Sequence, residues 1–403
     1  MARKFVILHE PPSGATETAG RKRGGAQGRI RVGARASTAA AAGPRIETDI
    51  LAPRAARDLV RTKKVAAVAP VIPMRLIAPV KASPLGTGVQ GQSSWGIEAV
   101  RALTSAFDGD GVVVAVLDTG IDPNHAAFVG VELERWNFTD GGTDDEDGHG
   151  THCAGTIFGR AVGGTRIGVA PGVKRALIGK VIGGASGGAS DQIAQAIQWA
   201  VNGGAHVISM SLGIDFPGYV KELLDEGVPA ELATSLALEG YRANVLVFER
   251  LAAFVAARAL MAQPSLLLAA AGNESRRDEN ADFEVAVSPP AVSEGIISVA
   301  ALGRTATGLA VASFSNTGAR VSGPGVGIVS ARAGGGLASM DGTSMATPHV
   351  AGIAALWAQK LQAEGSLGLK PWTDRLLGSA VTQGLQAGFD PSDVGSGLVQ
   401  APQ

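Results

Sequence analysis

The chain of 403 residues carries 56 glycines, about 14% against an ordinary usage of about 7%, with 45% hydrophobic, 18% charged and 4% aromatic residues. The glycines follow no triplet period, which excludes collagen, and the apolar fraction can bury a core, which argues against disorder. One cysteine excludes a disulfide framework or a Cys-rich metal site, and no apolar run approaches the roughly 18 residues of a membrane span.

The net charge of −1 hides an asymmetry. Residues 1–81 hold 16 Lys and Arg against 5 Asp and Glu, and the rest hold 19 against 31, so +11 faces −12. A basic arm reads as a contact for nucleic acid or a membrane surface, or as a piece that docks onto its own acidic body. The start is basic, but its apolar stretch, Phe5 to Leu8, is too short for a secretory signal. The expected location is the cytoplasm, or export without a recognisable Sec signal.

Residues 1–10 predict a strand, followed by Gly/Ala/Arg-rich sequence to about residue 43 that reads as a mobile loop. Ile46 to Leu51 predicts a strand, Pro53 to Arg61 a helix started by proline, and Val65 to Leu76 another strand. This is a small α+β module over residues 1–85, and residues 77–93, rich in Pro and Gly, read as a linker. Val112 to Leu117 is a continuous apolar run of strand length, repeated at 176–182, 206–212, 266–271 and 296–301. Helical segments lie at 191–202, at 219–262 in two or three pieces, and at 345–360. The alternation predicts an α/β fold over residues 86–403, a doubly wound parallel sheet flanked by helices.

Four segments carry candidate chemistry. Asp118 ends the strand at 112–117, where open α/β sheets bind ligands, although a lone Asp there also serves as a turn former. His149 and His152 sit at i, i+3 in Asp147-Gly148-His149-Gly150-Thr151-His152-Cys153, yet the stretch lacks the acidic residue a metal-binding helix would add. Ser344 opens an apolar helix in Gly342-Thr343-Ser344-Met345-Ala346, where free N–H groups favour an anionic centre, or it is a plain helix cap. Asn273, in Ala271-Gly272-Asn273-Glu274, is a turn residue or a fixed amide donor.

In combination these segments resemble the three signature motifs of the subtilase (subtilisin-like) serine proteases, in the chain order Asp, His, Ser found in subtilisin. The likeness runs from about Gln92 to the end and includes Val207 to Gly213, Ala271 to Glu274 and Gly395 to Val399. It implies a subtilisin-like fold with Asp118, His149 and Ser344 as a catalytic triad, and Asn273 with the Ser344 N–H as oxyanion donors. His152 is then structural. Cys153 resembles the proteinase K-like variant of the motif and reads as a small buried residue. The acidic run Asp144 to Asp147 reads as a solvated loop.

For substrate, the likeness points to Ser186, Gly187 and Gly188 on one side and Ser211, Leu212 and Gly213 on the other, pairing with an extended peptide. Ser288 lies near the floor of the first specificity pocket, and with no acid placed there an apolar residue before the scissile bond is expected. The chemistry needs no cofactor. A structural calcium stays open, because Ala127 and the loop Arg160 to Ile167 depart from the family's calcium ligands. Ser211 to Asn273 is longer than in compact family members, with a helical insertion at about 216–242 that reads as packing, a lid or a partner surface.

The expected protein is thus a serine endopeptidase acting on proteins or peptides, made as a zymogen with residues 1–85 as its own inhibitory partner. Leu59 to Val68 matches the family's propeptide pattern of helix then strand. No nucleic acid or membrane partner is expected. An inactive peptide-binding relative is the rival reading, and the presence of all three catalytic residue types argues against it.

Overall fold

A computed structural model describes residues 2–10, 44–84, 93–184 and 187–403. The N-terminal module comprises β1 (Arg3–His9), β2 (Ile46–Leu51), α1 (Pro53–Val60) and β3 (Val65–Pro70), its strands antiparallel in the order β2-β1-β3. Pro53 stands in the first helical turn, where its missing N–H costs no hydrogen bond. The single strand expected over Val65–Leu76 divides in two. Pro70 and Pro73 cannot donate to a ladder, so the chain leaves β3 and re-forms as β4 (Pro73–Leu76) in another sheet. The expected linker also contains a strand, β5 (Lys81–Pro84); residues 85–92 and the loop of residues 11–43 lie outside the described residues.

The body follows with α2 (Trp95–Ala99), β6 (Val113–Asp118), β7 (Glu132–Asn137), α3 (His149–Phe158), β8 (Arg175–Lys180), β9 (Gly188–Ala189), α4 (Ser190–Asn202), β10 (Val207–Met210) and β11 (Leu212–Ile214). Next come α5 (Phe216–Asp225), α6 (Ala230–Arg258), β12 (Leu266–Ala270), β13 (Ile296–Thr305), β14 (Gly308–Val311) and β15 (Val321–Pro324). The chain closes with β16 (Ile328–Ala331), β17 (Leu337–Asp341), α7 (Thr343–Ala363), α8 (Leu369–Gly378) and the short α9 (Pro391–Val394).

The main sheet runs β14-β13-β12-β10-β6-β8-β7, with β15 added to β13. Every pair is parallel except β13 with β14, so the expected doubly wound sheet acquires one antiparallel edge. Strand side chains alternate between faces, and both faces are buried. In β6, Val114 and Val116 join the core that holds α3 and α7, whereas Ala115 and Leu117 join the one that holds α4 and α6. The second core also takes Val6, Leu8, Ala67, Ala69, Ile72 and Met74 from the N-terminal module. Each such Leu, Ile or Met contributes about 1.5–3 kcal/mol of burial, which makes module and body one packed unit.

The insertion expected at about 216–242 is α5 plus the first half of α6, a single helix of 29 residues. Gly240 near its middle masks the continuity in the sequence. That glycine faces the module: an added Cβ would lie 3.2 Å from Pro70 and from Tyr219. Asn244 Nδ2 donates to the Pro70 carbonyl at 2.9 Å, and Arg3 pairs with Glu226 at 2.6 Å. Among the described residues, no helix is long and apolar enough to cross a membrane.

Helix α8 locks α7 from outside through Trp372, fully buried, whose Nε1 donates to the Ala354 carbonyl at 3.0 Å. Trp372→Ala is expected to cost about 3–5 kcal/mol in denaturant unfolding, through the cavity and the lost bond. A cost below about 1 kcal/mol would contradict this packing.

Candidate active site

Asp118 is the last residue of β6 and His149 the first of α3, and both are buried. His149 Nδ1 lies 2.7 Å from Asp118 Oδ1, which also accepts the Thr119 N–H at 2.8 Å. Two glycines allow the approach. Gly148, at φ +94°, caps α3 in a left-handed conformation that a side chain would strain. A Cβ on Gly150 would fall 2.2 Å from the Gly120 carbonyl oxygen, so only glycine lets α3 rest on the turn after Asp118.

Asp145 fastens that turn and is the one member that departs from the expected solvated run, since Asp144, Glu146 and Asp147 are exposed. It is buried, and its carboxylate accepts from Gly148 N, Asp147 N, Thr151 N, Thr151 Oγ1 and Thr119 Oγ1 at 2.6–3.2 Å. The negative charge sits at the N-terminus of α3, where free N–H groups and the helix dipole stabilise it. Neighbouring Asp144 is tied as well, its carboxylate to Arg135 at 2.7 Å and its carbonyl to the buried Lys180 amine at 2.8 Å. No spacing rule in the sequence marks Asp145.

His152 points away from this pair. Its Nε2 donates to the Ile328 and Ala338 carbonyls at 3.0 and 3.2 Å, and burial with neighbouring His149 lowers its pKa to about 3. It is a structural neutral imidazole, as expected.

Ser344, also fully buried, lies in the first turn of α7, where its N–H has no intrahelical partner. Pro348 inside the helix removes the N–H that would have bonded the Ser344 carbonyl. Cys153 Sγ donates to that freed oxygen at 3.3 Å and Ser211 Oγ at 3.4 Å. Cys153 thereby bridges α3 and α7, 3.7 Å from His149 Nδ1, and burial raises its pKa, which keeps it a thiol. One ligand atom from each of Asp118, His149 and Cys153 lies within 4.8 Å of the others, and His149 Nδ1 is already hydrogen-bonded to Asp118 Oδ1.

The Ser344 hydroxyl does not bond to His149. It donates to the Ile77 carbonyl at 2.7 Å, and His149 Nε2 is buried without a partner. Asn273 Nδ2 donates to the next carbonyl, Ala78, at 2.9 Å, while its Oδ1 accepts from Thr343 N and Oγ1 at 2.9 and 2.8 Å. The amide is therefore aimed before any ligand arrives.

Strand β4 is the middle strand of a small antiparallel sheet. Met74 to Leu76 pair with Leu212 to Ile214, and Pro73 and Met74 with Ala189 and Gly188. Ile77 N donates to the Ser211 carbonyl at 3.2 Å, and beyond the site β5 pairs with β17. Of the residues expected to hold a peptide, Ser211, Leu212, Gly213 and Gly188 line this strand. Gly187 adjoins β9, and Ser186 lies outside the described residues. Gly213 sits between Ser288 and Ile77: its added Cβ would be 3.0 Å from Ser288 Oγ and 3.7 Å from Ile77 Cδ1. The apolar Ile77 side chain thus lies where the first specificity pocket was expected.

The departures at the calcium loop have a physical counterpart. Ala127 is buried and offers no ligand. Arg160 donates to the Phe158 and Val173 carbonyls, and Arg166 to those of Ala102, Gly168 and Val169. Fixed guanidinium groups bind the oxygens here, and that donor set does not fit a hard cation.

The carboxyl edge of the doubly wound sheet thus presents a buried Asp–His pair, a helix-terminal serine and an aimed amide, an arrangement suited to serine hydrolase chemistry. A model of the subtilase family matches residues 109–382. The thermostable alkaline protease of Halalkalibacterium halodurans is 31% identical over 321 residues, 76% of this chain and 72% of that protein. Alkaline elastase YaB of a Bacillus species is 35% identical over 322 residues, 76% of this chain and 68% of its own. Subtilisin BL of Lederbergia lenta is 34% identical over 280 residues, 66% and 84% of the two chains. The chain belongs to the subtilase family, and it is a subtilisin-like serine endopeptidase.

Burial is the largest influence on His149 and disfavours its protonated form, but the charge of Asp118, with hydrogen bonds from Asp118 and Cys153, prevails and raises the pKa well above 6.5. A base works when neutral, so with His149 in that role activity would be full above its pKa and would fall as pH drops through it. The acid limb of kcat/KM on a chromogenic peptide is expected above pH 6.5, and Asp118→Asn should move it down. A limb centred below 6.5 would contradict the arrangement.

Proposed function

We propose that the protein is a zymogen whose N-terminal module inhibits it until the enzyme cuts the chain after Ile77, at the start of the expected linker, with Asp118, His149 and Ser344 as its triad. The observation that carries this reading is the Ile77 carbonyl 2.7 Å from Ser344 Oγ, on a strand paired from both sides like a bound peptide. The bond after Ile77 is the scissile one, since the following bond, Ala78–Pro79, is blocked by its proline.

The resting hydroxyl turns from the Ile77 oxygen to His149 Nε2, which takes its proton as Oγ attacks the Ile77 carbonyl carbon. Asp118 holds the tautomer and stabilises the imidazolium. Asn273 Nδ2 moves one carbonyl back, and with the Ser344 N–H it holds the developing oxyanion. His149 then protonates the Ala78 nitrogen, the Ile77–Ala78 bond breaks, and water hydrolyses the Ser344 ester. Foreign proteins follow the same path, with an apolar residue before the cut.

Opposite charge supports the docking of the module. Among the described residues, four ion pairs cross from module to body, Arg3–Glu226, Lys4–Asp191, Arg75–Asp215 and Arg75–Glu274, each with its cation on the module. Such pairs are screened by salt.

The wild-type chain should process itself to a new N-terminus at Ala78, read by mass spectrometry, and the cut module, added back to the mature enzyme, should dock more slowly at high salt. Ser344→Ala should remain one folded, uncut chain. Processing of Ser344→Ala at Ala78, free of other proteases, would refute the proposal. Asn273→Ala should lower kcat by about 10²–10³, the range measured for removing such a donor in subtilisin, with little change in KM. An equal loss in KM alone would remove Asn273 from the oxyanion role.

A further inference from the structure

Arg75 stands two residues before Ile77, at the third position before the proposed cut. Its guanidinium meets two carboxylates of the body. Nη2 lies 2.7 Å from Glu274 Oε1 and Nη1 lies 3.4 Å from Asp215 Oδ1. Neither acid depends on Arg75 for its position. Asp215 Oδ1 caps α5 by accepting from Gly218 N at 3.1 Å, and Glu274 Oε2 accepts from Asn316 Nδ2 at 2.7 Å. Asn316 is fully buried and also takes the Glu274 and Ser275 N–H groups on its Oδ1, so the loop bearing Glu274 is fixed from below. Arg276, which lines the same cleft, is directed to Glu279 at 3.5 Å. Both acids are about one-third exposed, 29% and 33%, so they remain open to a ligand from solvent.

We propose that Asp215 and Glu274 form an acidic subsite that selects a basic side chain, arginine before lysine, at the third residue before the scissile bond of protein substrates. The inference rests on the reading of β4 as a substrate-like strand. An arginine fork reaches both carboxylates at once, whereas a lysine ammonium is a single point charge. Half-exposed ion pairs are modest, and the two together correspond to roughly tenfold in kcat/KM.

The test uses the self-processed enzyme and four fluorogenic peptides, identical except for Arg, Lys, Gln or Glu at that third position. The expected order is Arg, Lys, Gln, Glu, with Arg about tenfold above Gln at low salt and the gap narrowing at high salt. Because the readout is a ratio between peptides, any general loss of activity in a variant cancels. Asp215→Asn should shrink the gap, and the Asp215→Asn/Glu274→Gln double variant should bring the four within about twofold. Equal rates for the four peptides with wild-type enzyme, or an arginine preference undiminished in the double variant, would overturn the subsite while leaving the protease reading intact. Cleavage of none of the peptides by wild-type enzyme would overturn that reading, and the subsite with it.

Discussion

A hydrogen bond of 2.7 Å joins the end of β6 to the start of α3, and both of its partners are sealed from solvent. A buried carboxylate is tolerated only when its charge is compensated, and here the compensation is an imidazole and the Thr119 N–H. The requirement propagates outward. The imidazole can reach the carboxylate only if α3 rests on the Asp118–Gly120 turn, which needs glycine at 150, and only if the helix start is held down, which Asp145 does with five hydrogen bonds. The same helix offers Cys153 to α7, where Pro348 has freed the Ser344 carbonyl. Two helices and one strand are thus locked into a single geometry around His149 and Ser344.

The parallel sheet was legible because its strands are buried on both faces and read as unbroken apolar runs. Asp118, His149, Asn273 and Ser344 were legible because each falls where such a run meets a turn or helix start. Other features depend on long-range partners that no local pattern carries. The break between β3 and β4 follows from two prolines, but the partners of β4 at Leu212–Ile214 and Gly188–Ala189 lie more than a hundred residues away. Lys81–Pro84 looked like linker because Pro and Gly surround it, and it becomes a strand only because β17 offers an edge. Asp145 was hidden among three other acids, and its burial comes from the helix it caps.

Charge and apolar burial divide the labour between module and body. The +11 and −12 of the two parts appear as four crossing ion pairs, most with at least one exposed partner and so individually weak. Leu8, Ile72 and Met74, sunk in the body's second core, supply the larger share of the attraction. In the proposed zymogen, charge would govern how fast the cut pieces meet and how salt affects that step, and burial would govern how long they stay together.

The central claim is that the uncut chain blocks its own nucleophile by laying Ile77 and Ala78 across it. The most direct measurement is the rate at which a fluorophosphonate labels Ser344 in an Ala78→Pro chain. Proline there keeps Ile77 extended, as it already is in the cleft, and makes the bond after it a poor substrate. The account predicts an intact chain labelled far more slowly than the processed wild-type enzyme. Labelling of the intact chain at the processed enzyme's rate would contradict it.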